Sequence, residues 1–248
     1  MRYVVLVLAA AVIASVSAAQ DPRPIRLLDL KGKLPHVQGI DLDDRHLWVT
    51  SVDAPARKGY LAEFALPSGE HVRSIELQDG PRFHPGGIAA DADSIWIPVA
   101  EYRRQSSAVI QRRDKRTFAV KQQFEVADHI GCVAVNQDVI VGGNWDSRDL
   151  YVWDRSGKLL NKIANPTGNG FQDLKFDRAT LVGSGLLPGR WSAIDWMDFP
   201  SLKQVRRVML GKTDRGEPFA REGMAIRDGL VYLLPEDGPS RLFTFRLR

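Results

Sequence analysis

Cysteine is almost absent from this chain of 248 residues, which contains only Cys132. One cysteine cannot form an internal disulfide, so packing alone has to hold the fold together. Cys132 lies in a predicted inner strand, where a small buried side chain is expected rather than a reactive thiol. No catalytic role is therefore assigned to it.

Helical periodicity is also nearly absent after the N-terminal segment. Short β-branched and aromatic runs alternate instead with Gly, Pro, Asp and Asn, which is typical of strands and turns. No Walker loop, Cys-rich zinc pattern, H-E-x-x-H or G-x-S-x-G segment occurs. The chain is therefore predicted to be all-β, without a familiar signature for nucleotide, zinc-protease or α/β-hydrolase chemistry.

A strong charge bias is missing as well. The net charge of +4 is spread over isolated Arg and Lys residues, and the densest stretch, residues 112–116, falls on a predicted hairpin turn. No aromatic interleaving or recognition helix accompanies it, which argues against a nucleic-acid partner. With 44% hydrophobic residues, the chain can form one sizeable core, and we expect a single monomeric domain.

Long apolar runs are confined to the N-terminus. Arg2 precedes the run 4–13, which is followed by small residues up to Ala19, the layout of a secretory signal spanning residues 1–19. The run is short for the ~20 apolar residues that a membrane span needs, and no basic stop-transfer cluster follows it. We expect export to a bacterial periplasm or medium, with residues 20–248 as the mature domain and no stable membrane insertion.

A two-part unit recurs five times along the chain. The first copy is H-V-Q-G-I at 36–40 with L-W-V at 47–49, and the second is H-P-G-G-I at 84–88 with I-W-I at 95–97. In every copy, the apolar residue that closes the first part lies eight positions before the centre of the next patch. These closing residues are Ile40, Ile88, Val133, Leu174 and Met224.

The repeat spacing, roughly 41 to 50 residues, is that of a four-stranded propeller blade. Five units fit, but the fifth ends after its third strand, while an orphan strand at 25–30 precedes the first unit. The sequence therefore predicts a five-bladed propeller of four-stranded antiparallel blades whose N-terminal strand completes the last blade. A two-sheet sandwich, the alternative, predicts no such repeat.

The H-x-x-G-I, L-W-V and D-H-I-G segments resemble those of an uncharacterised exported bacterial propeller family. More distantly, the strand pattern is similar to gluconolactonase-like and quinoprotein-like propellers. The resemblance covers essentially the whole mature chain, but these are blade motifs, so it implies a fold rather than an activity.

Polar residues recur at the loops that enter the innermost strands, which converge on one mouth of a propeller. Neutral imidazole is a common metal ligand, so three histidines at one blade position predict a divalent ion such as Zn, Mn or Ca. The alternative is that each histidine caps a turn. The predicted ligands are His36, His84 and His129, joined by Gln38, Gln172 or Glu222.

Carboxylates and loop side chains near the same mouth are the other candidates. Two carboxyl groups on opposite sides of a scissile bond would suit glycoside cleavage, although Asp also satisfies loop amides routinely. The predicted catalytic residues are Glu101, Asp146 and Glu222. The predicted ligand contacts are Gln38, Asp53, Tyr102, Arg103, Asn144, Trp145, Gln172, Arg190 and Glu236.

The functional hypothesis is an exported propeller that binds a small polar molecule, of a sugar, lactone or uronate type, at the central mouth. Its enzymatic version is a metal-assisted hydrolase or lyase, and whether the protein is an enzyme is left open. The alternatives are a lectin-like or solute-binding module and a protein-interaction scaffold. A scaffold should expose a contiguous apolar patch with a polar rim.

Overall fold

The computed structural model describes residues 22–247, and the predicted signal segment 1–19 lies outside them. Strand β1 (Arg26–Asp29) comes first, followed by blade 1 with β2 (His36–Leu42), β3 (His46–Asp53), β4 (Lys58–Ala65) and β5 (His71–Leu77). Blade 2 has a split inner strand, β6 (His84–Pro85) and β7 (Ala89–Ala90), then β8 (Ser94–Ala100), β9 (Ala108–Asp114) and β10 (Val120–Val126).

The remaining strands form three more antiparallel blades. Blade 3 contains β11 (Ile130–Val135), β12 (Val139–Asn144), β13 (Asp149–Asp154) and β14 (Leu159–Ala164), with a short 3₁₀-helix, Trp145–Ser147, before β13. Blade 4 contains β15 (Gly170–Asp177), β16 (Thr180–Leu187), β17 (Trp191–Asp198) and β18 (Gln204–Leu210). Blade 5 contains β19 (Gly223–Arg227), β20 (Leu230–Leu234) and β21 (Arg241–Phe245).

The N-terminal strand closes the ring, as the sequence predicted. Strand β1 pairs antiparallel with β21, with Arg26 opposite Thr244 and Asp29 opposite Arg241, and so becomes the fourth strand of blade 5. The five-bladed all-β propeller is thereby confirmed. Among residues 22–247, no helix is long and apolar enough to cross a membrane.

Large apolar side chains pack between neighbouring blades. Trp48 and Trp96 on the second strands of blades 1 and 2 are 1% and 0% exposed, as expected for core residues. Cys132 is also fully buried, and burial raises the pKa of its thiol to about 12. The thiol therefore stays protonated, which agrees with a structural role.

Glycine lets the inner strands approach one another at the axis. A Cβ built at Gly39 would lie 2.4 Å from the Cα of Gly87, and one at Gly86 would lie 1.9 Å from the carbonyl oxygen of Gly131. No side chain fits at such distances, so these positions require glycine. The innermost layer is therefore a ring of closely packed backbone.

A buried ion pair fills the centre of this ring. Asp173 of β15 accepts hydrogen bonds from the amides of Ile40 at 3.1 Å and Met224 at 3.0 Å, which belong to blades 1 and 5. Lys175 Nζ lies 2.6 Å from Asp173 Oδ1 and donates to the carbonyl of Ile88 in blade 2, also at 2.6 Å. One pair of side chains thus connects four blades.

Candidate functional site

A polar cavity of about 190 Å³ lies on the axis at the mouth. Every blade contributes to its wall through the start of its inner strand, as the convergence of the entering loops predicted. Two of the loops between second and third strands, in blades 2 and 3, add to the wall. The lining residues are His36, Gln38, His84, Tyr102, His129, Gly131, Asn144, Trp145, Asp146, Phe171, Gln172 and Glu222.

Irregular backbone turns the side chains of this wall toward the axis. The pairing register shifts between Val37 and Gly39 in β2 and between Phe171 and Asp173 in β15, which leaves Gln38 and Gln172 as bulge residues. Bulges of this kind commonly re-aim a side chain beside a functional site. Glu222, just before β19, occupies the matching place in blade 5 with a positive φ of 84°, a conformation that is uncommon for residues other than glycine.

One side of the cavity contains His36 between two glutamates. His36 Nδ1 lies 2.5 Å from Glu236 Oε2, and its Nε2 lies 3.9 Å from Glu222 Oε1. The hydrogen bond to Glu236 raises the pKa of His36; burial opposes this effect, and the charge of Glu222 adds to it. The imidazole therefore donates through Nδ1 to Glu236 and presents its other nitrogen to Glu222.

Glu222 is the buried acid of the cavity, with a side chain only 6% exposed. Burial raises the pKa of its carboxyl group to about 7, although the charges of His36 and Arg221 oppose the shift. Arg221 Nε lies 3.3 Å from Glu222 Oε1. A carboxyl group with this pKa is present in both protonation states near neutral pH, which suits a general acid or base.

Beside Gln38, His84 has one bonded and one free ring nitrogen. Gln38 Nε2 donates to the carbonyl of Val37 at 3.0 Å, so the amide directs Oε1 to His84 Nε2 at 2.9 Å. Because that oxygen can only accept, His84 must carry its proton on Nε2. His84 Nδ1 is then a bare acceptor, buried and without a hydrogen-bond partner among the described residues.

His129 is held in the other tautomer. Its Nδ1 contacts the carbonyl oxygens of Glu101 at 3.0 Å and Arg103 at 3.2 Å, so Nδ1 carries the proton and Nε2 is the unprotonated nitrogen. Burial lowers the pKa of His129, against the effect of these two hydrogen bonds. Burial, together with His129 and His36, lowers the pKa of His84 to about 3. Both rings are therefore uncharged at neutral pH.

An aromatic group lies across this wall. The Tyr102 ring is 4.2 Å from that of His84 and stacks on Trp145 at 6.4 Å, and Trp145 is 4.6 Å from His129. The guanidinium of Arg104 lies over Trp145 and forms a 2.6 Å ion pair with Asp146 at the rim. Tyr102, Trp145 and Asp146 thus lie at the cavity, as expected from the sequence.

Five predicted site residues lie outside the cavity wall, and one of them, Glu236, hydrogen-bonds His36 and the amide of Val37. Glu101 instead closes its own loop by accepting hydrogen bonds from Ser107 and Arg103, and Arg103 is exposed. Asp53 accepts from the amide of Ala56 and lines a different cavity, while Arg190 occupies an exposed turn. Sequence spacing could not distinguish these loop contacts from cavity contacts, because loop length and direction differ in every blade.

The side chains whose atoms could bind a metal are not the three predicted histidines. Among the described residues, His36, Glu222 and Glu236 place one ligand atom each within 4.8 Å of one another. The structure does not bring the three imidazoles together as one such set, because backbone carbonyls hold Nδ1 of His129 and Gln38 holds Nε2 of His84. Asn144, another predicted contact, lines the cavity while donating to Asp128 at 3.1 Å.

Fold and site together define a five-bladed propeller with an acidic and histidine-containing axial cavity. A family described as "Family of unknown function (DUF6454)" matches residues 57–169, which is less than half of the chain. No curated protein matches the sequence.

Among solved structures, the glutaminyl cyclase of Myxococcus xanthus is similar with a TM-score of 0.68 and 15% identity, over 90% of this chain and 95% of that one. This similarity supports the fold alone. The computationally designed Ika4 protein (TM-score 0.45, 14% identity, 69% of this chain and 97% of that one) is a weaker match. So is hydrazine synthase of Kuenenia stuttgartiensis (TM-score 0.49, 12% identity, 83% and 57%).

Proposed function

We propose that this propeller binds a small polar molecule of a sugar, lactone or uronate type in the axial cavity and acts on it by acid–base chemistry. The observation that carries the proposal is Glu222, a buried carboxyl group on the cavity wall with a pKa raised to about 7. A buried acid that its neighbours compensate only in part weakens a fold, so its position is better explained by chemistry than by stability. Export of the chain remains a prediction.

The neighbours of Glu222 suggest how a proton would move. His36, oriented by Glu236, presents Nε2 toward Glu222 and can return a proton to it after each reaction. Asp146, paired with Arg104, supplies a second carboxylate on the blade 3 wall. Tyr102 and Trp145 offer ring faces on which the apolar face of a sugar can stack. The assignment is a hydrolase or lyase.

Replacing Glu222 with Gln tests this assignment. We expect turnover to fall by about 10²- to 10⁴-fold, the usual contribution of a general acid or base. The substrate probes are aryl glycosides, aldonolactones and uronates, assayed against Glu217→Gln as the control. Glu217 lies on the same loop, is paired with Arg221 and does not line the cavity. Unchanged turnover in Glu222→Gln would contradict the acid–base role, and no turnover by the unchanged protein would favour a solute-binding module.

Stability provides a second readout of the same variant. Because the folded-state pKa of Glu222 is raised from 4.5 to about 7, the native state binds the proton more tightly than the unfolded chain. The contribution of this group therefore becomes unfavourable as pH rises from about 4.5 to 7, by at most ~3 kcal/mol. Glu222→Gln should remove that loss, so urea unfolding of the variant should show a smaller decline in stability across this range.

A divalent cation is a second candidate for the same group, favoured by the convergence of His36, Glu222 and Glu236 ligand atoms within 4.8 Å. Zn or Mn bound there would polarise a substrate carbonyl or activate water. Metal would compete with the proton on His36, whose pKa is raised, so binding should strengthen as pH increases.

Elemental analysis of the purified protein, before and after chelator, tests the cation. We expect a metal-loaded protein to contain about one equivalent, as one ligand group implies, and His36→Ala to lose it. His46→Ala is the control, because His46 lies on blade 1 away from the cavity. Equal metal content in both variants would contradict a cation at His36.

A further inference from the structure

His84 and His129 form a wall of two uncharged acceptors in the cavity. Each ring donates one N–H to an oxygen already fixed by the fold, Gln38 Oε1 for His84 and backbone carbonyls for His129. Each therefore has one unprotonated nitrogen, on rings whose centroids are 5.4 Å apart. A neutral imidazole nitrogen of this kind accepts hydrogen bonds and donates none.

The hydrogen bonds within residues 22–247 leave one nitrogen of each ring available to a ligand. Within the part of the chain that the structure describes, His84 Nδ1 is buried without a partner, and leaving a buried acceptor unsatisfied costs stability. His129 also lines the cavity, and among the described residues the hydrogen bonds of its ring all involve Nδ1. Its Nε2 is therefore the nitrogen available to a ligand in the cavity.

The charged groups that line the cavity are already paired. Three guanidiniums beside the mouth have carboxylate partners: Arg103 with Glu101, Arg104 with Asp146, and Arg221 with Glu217 and Glu222. His36 lies between two glutamates. Within residues 22–247, no Arg or Lys lines the cavity. A carboxylate on the ligand would therefore meet bare nitrogen lone pairs and carboxylates, with no arginine or lysine in the wall to offset its desolvation.

From this arrangement we propose that His84 and His129 select an uncharged ligand that presents hydroxyl donors to them, a neutral sugar rather than a uronate. The inference rests on the proposed function, since it assumes that a small polar molecule occupies the cavity. It narrows the substrate class without depending on the proton transfer by Glu222.

Nitrogen NMR of the ¹⁵N-labelled protein tests the wall directly. Long-range ¹H–¹⁵N spectra should identify His84 with its proton on Nε2 and His129 with its proton on Nδ1. The probes are D-glucose with D-glucuronate and D-galactose with D-galacturonate, pairs that differ only in a hydroxymethyl or carboxylate group. We expect the neutral member to shift both bare nitrogens and to bind at least about tenfold more tightly than its uronate.

Variants separate recognition from folding and from catalysis. His84→Asn and His129→Asn should each weaken the neutral sugar by about tenfold, the effect of one lost hydrogen bond. His71→Asn, on the exposed outer strand of blade 1, should leave binding unchanged. Three results would overturn the proposal. They are tighter binding of the uronates, no shift of the two ¹⁵N resonances with any of the four probes, and Zn²⁺ binding at both imidazoles. Loss of turnover in Glu222→Gln with an unchanged preference for the neutral sugar would support both proposals. Retained turnover in that variant would contradict only the acid–base role of Glu222.

Discussion

Replacing Asp173 with Ala should destabilise the propeller by at least about 5 kcal/mol, enough to unfold many domains of this size. The substitution leaves the Lys175 ammonium, which is 5% exposed, without its carboxylate partner. It also removes the acceptor for the amides of Ile40 and Met224 on two other blades. Breaking a buried ion pair costs about 3–5 kcal/mol, and each orphaned amide adds about 1–3 kcal/mol.

Urea unfolding with two comparison variants measures this effect. Asp173→Asn keeps the shape and one acceptor oxygen, so it should lose less stability than Asp173→Ala. Asp177→Ala, at the exposed end of the same strand, should stay within about 0.5 kcal/mol of the unchanged protein. If Asp173→Ala unfolded at the same urea concentration as Asp177→Ala, the central ion pair would not hold the blades together.

Deleting residues 20–32 should abolish cooperative unfolding, or lower the melting temperature by about 10 °C or more. Strand β1 covers β21, whose residues Arg241–Phe245 are all buried. Its loss exposes a complete hydrogen-bonding edge with Leu242, Phe243 and Phe245, which invites aggregation. It also removes Leu30, which is 4% exposed in the cluster between blades 5 and 1.

Calorimetry of the truncated chain is the measurement, with a chain that begins at Gln20 as the control. A synthetic peptide covering residues 20–32 should restore the transition by pairing with β21 in trans. Restoration would separate ring closure from a general effect of shortening the chain. A truncated protein that melts like the control would show that β21 does not need its partner.

Most of the fold could be predicted because the blade repeat is a local pattern. The eight-residue offset between apolar patches corresponds to a β-hairpin in each copy. Hairpin geometry depends on residues close together in the chain. The complementary ends, an orphan strand at 25–30 and a missing fourth strand, were enough to predict the pairing of β1 with β21. Trp48 and Trp96, the central residues of two of these patches, are buried in the core.

The site could be predicted only in outline. Repeat position placed His36, His84, His129, Gln38 and Glu222 at the mouth, and all five line the cavity. Their chemical states could not be predicted, because each depends on a partner from a distant segment. Glu236 hydrogen-bonds His36, which is 200 positions away in the sequence, and Gln38 hydrogen-bonds His84, which is 46 positions away.

Asp173 is the clearest case of a residue overlooked in the sequence. It stands where other copies of the repeat have Gly39, Gly87 and Gly223, and that departure was the available signal. Its role in joining the blades is apparent only in the tertiary structure, where those glycines leave room at the axis for one carboxylate. A Cβ at Gly87 would lie 2.7 Å from Asp173 Oδ1, so the side chain and the missing side chains fit together.

The sequence by itself determined the number of blades, the order of strands and the face on which polar residues gather, because strand periodicity and repeat spacing are properties of neighbouring residues. Only the tertiary structure decided which carboxyl group is buried without full compensation, which imidazoles are uncharged, and which loop residues turn away from the axis. Protonation and hydrogen bonding depend on the local environment, and in this ring that environment is assembled from segments that are remote in the chain.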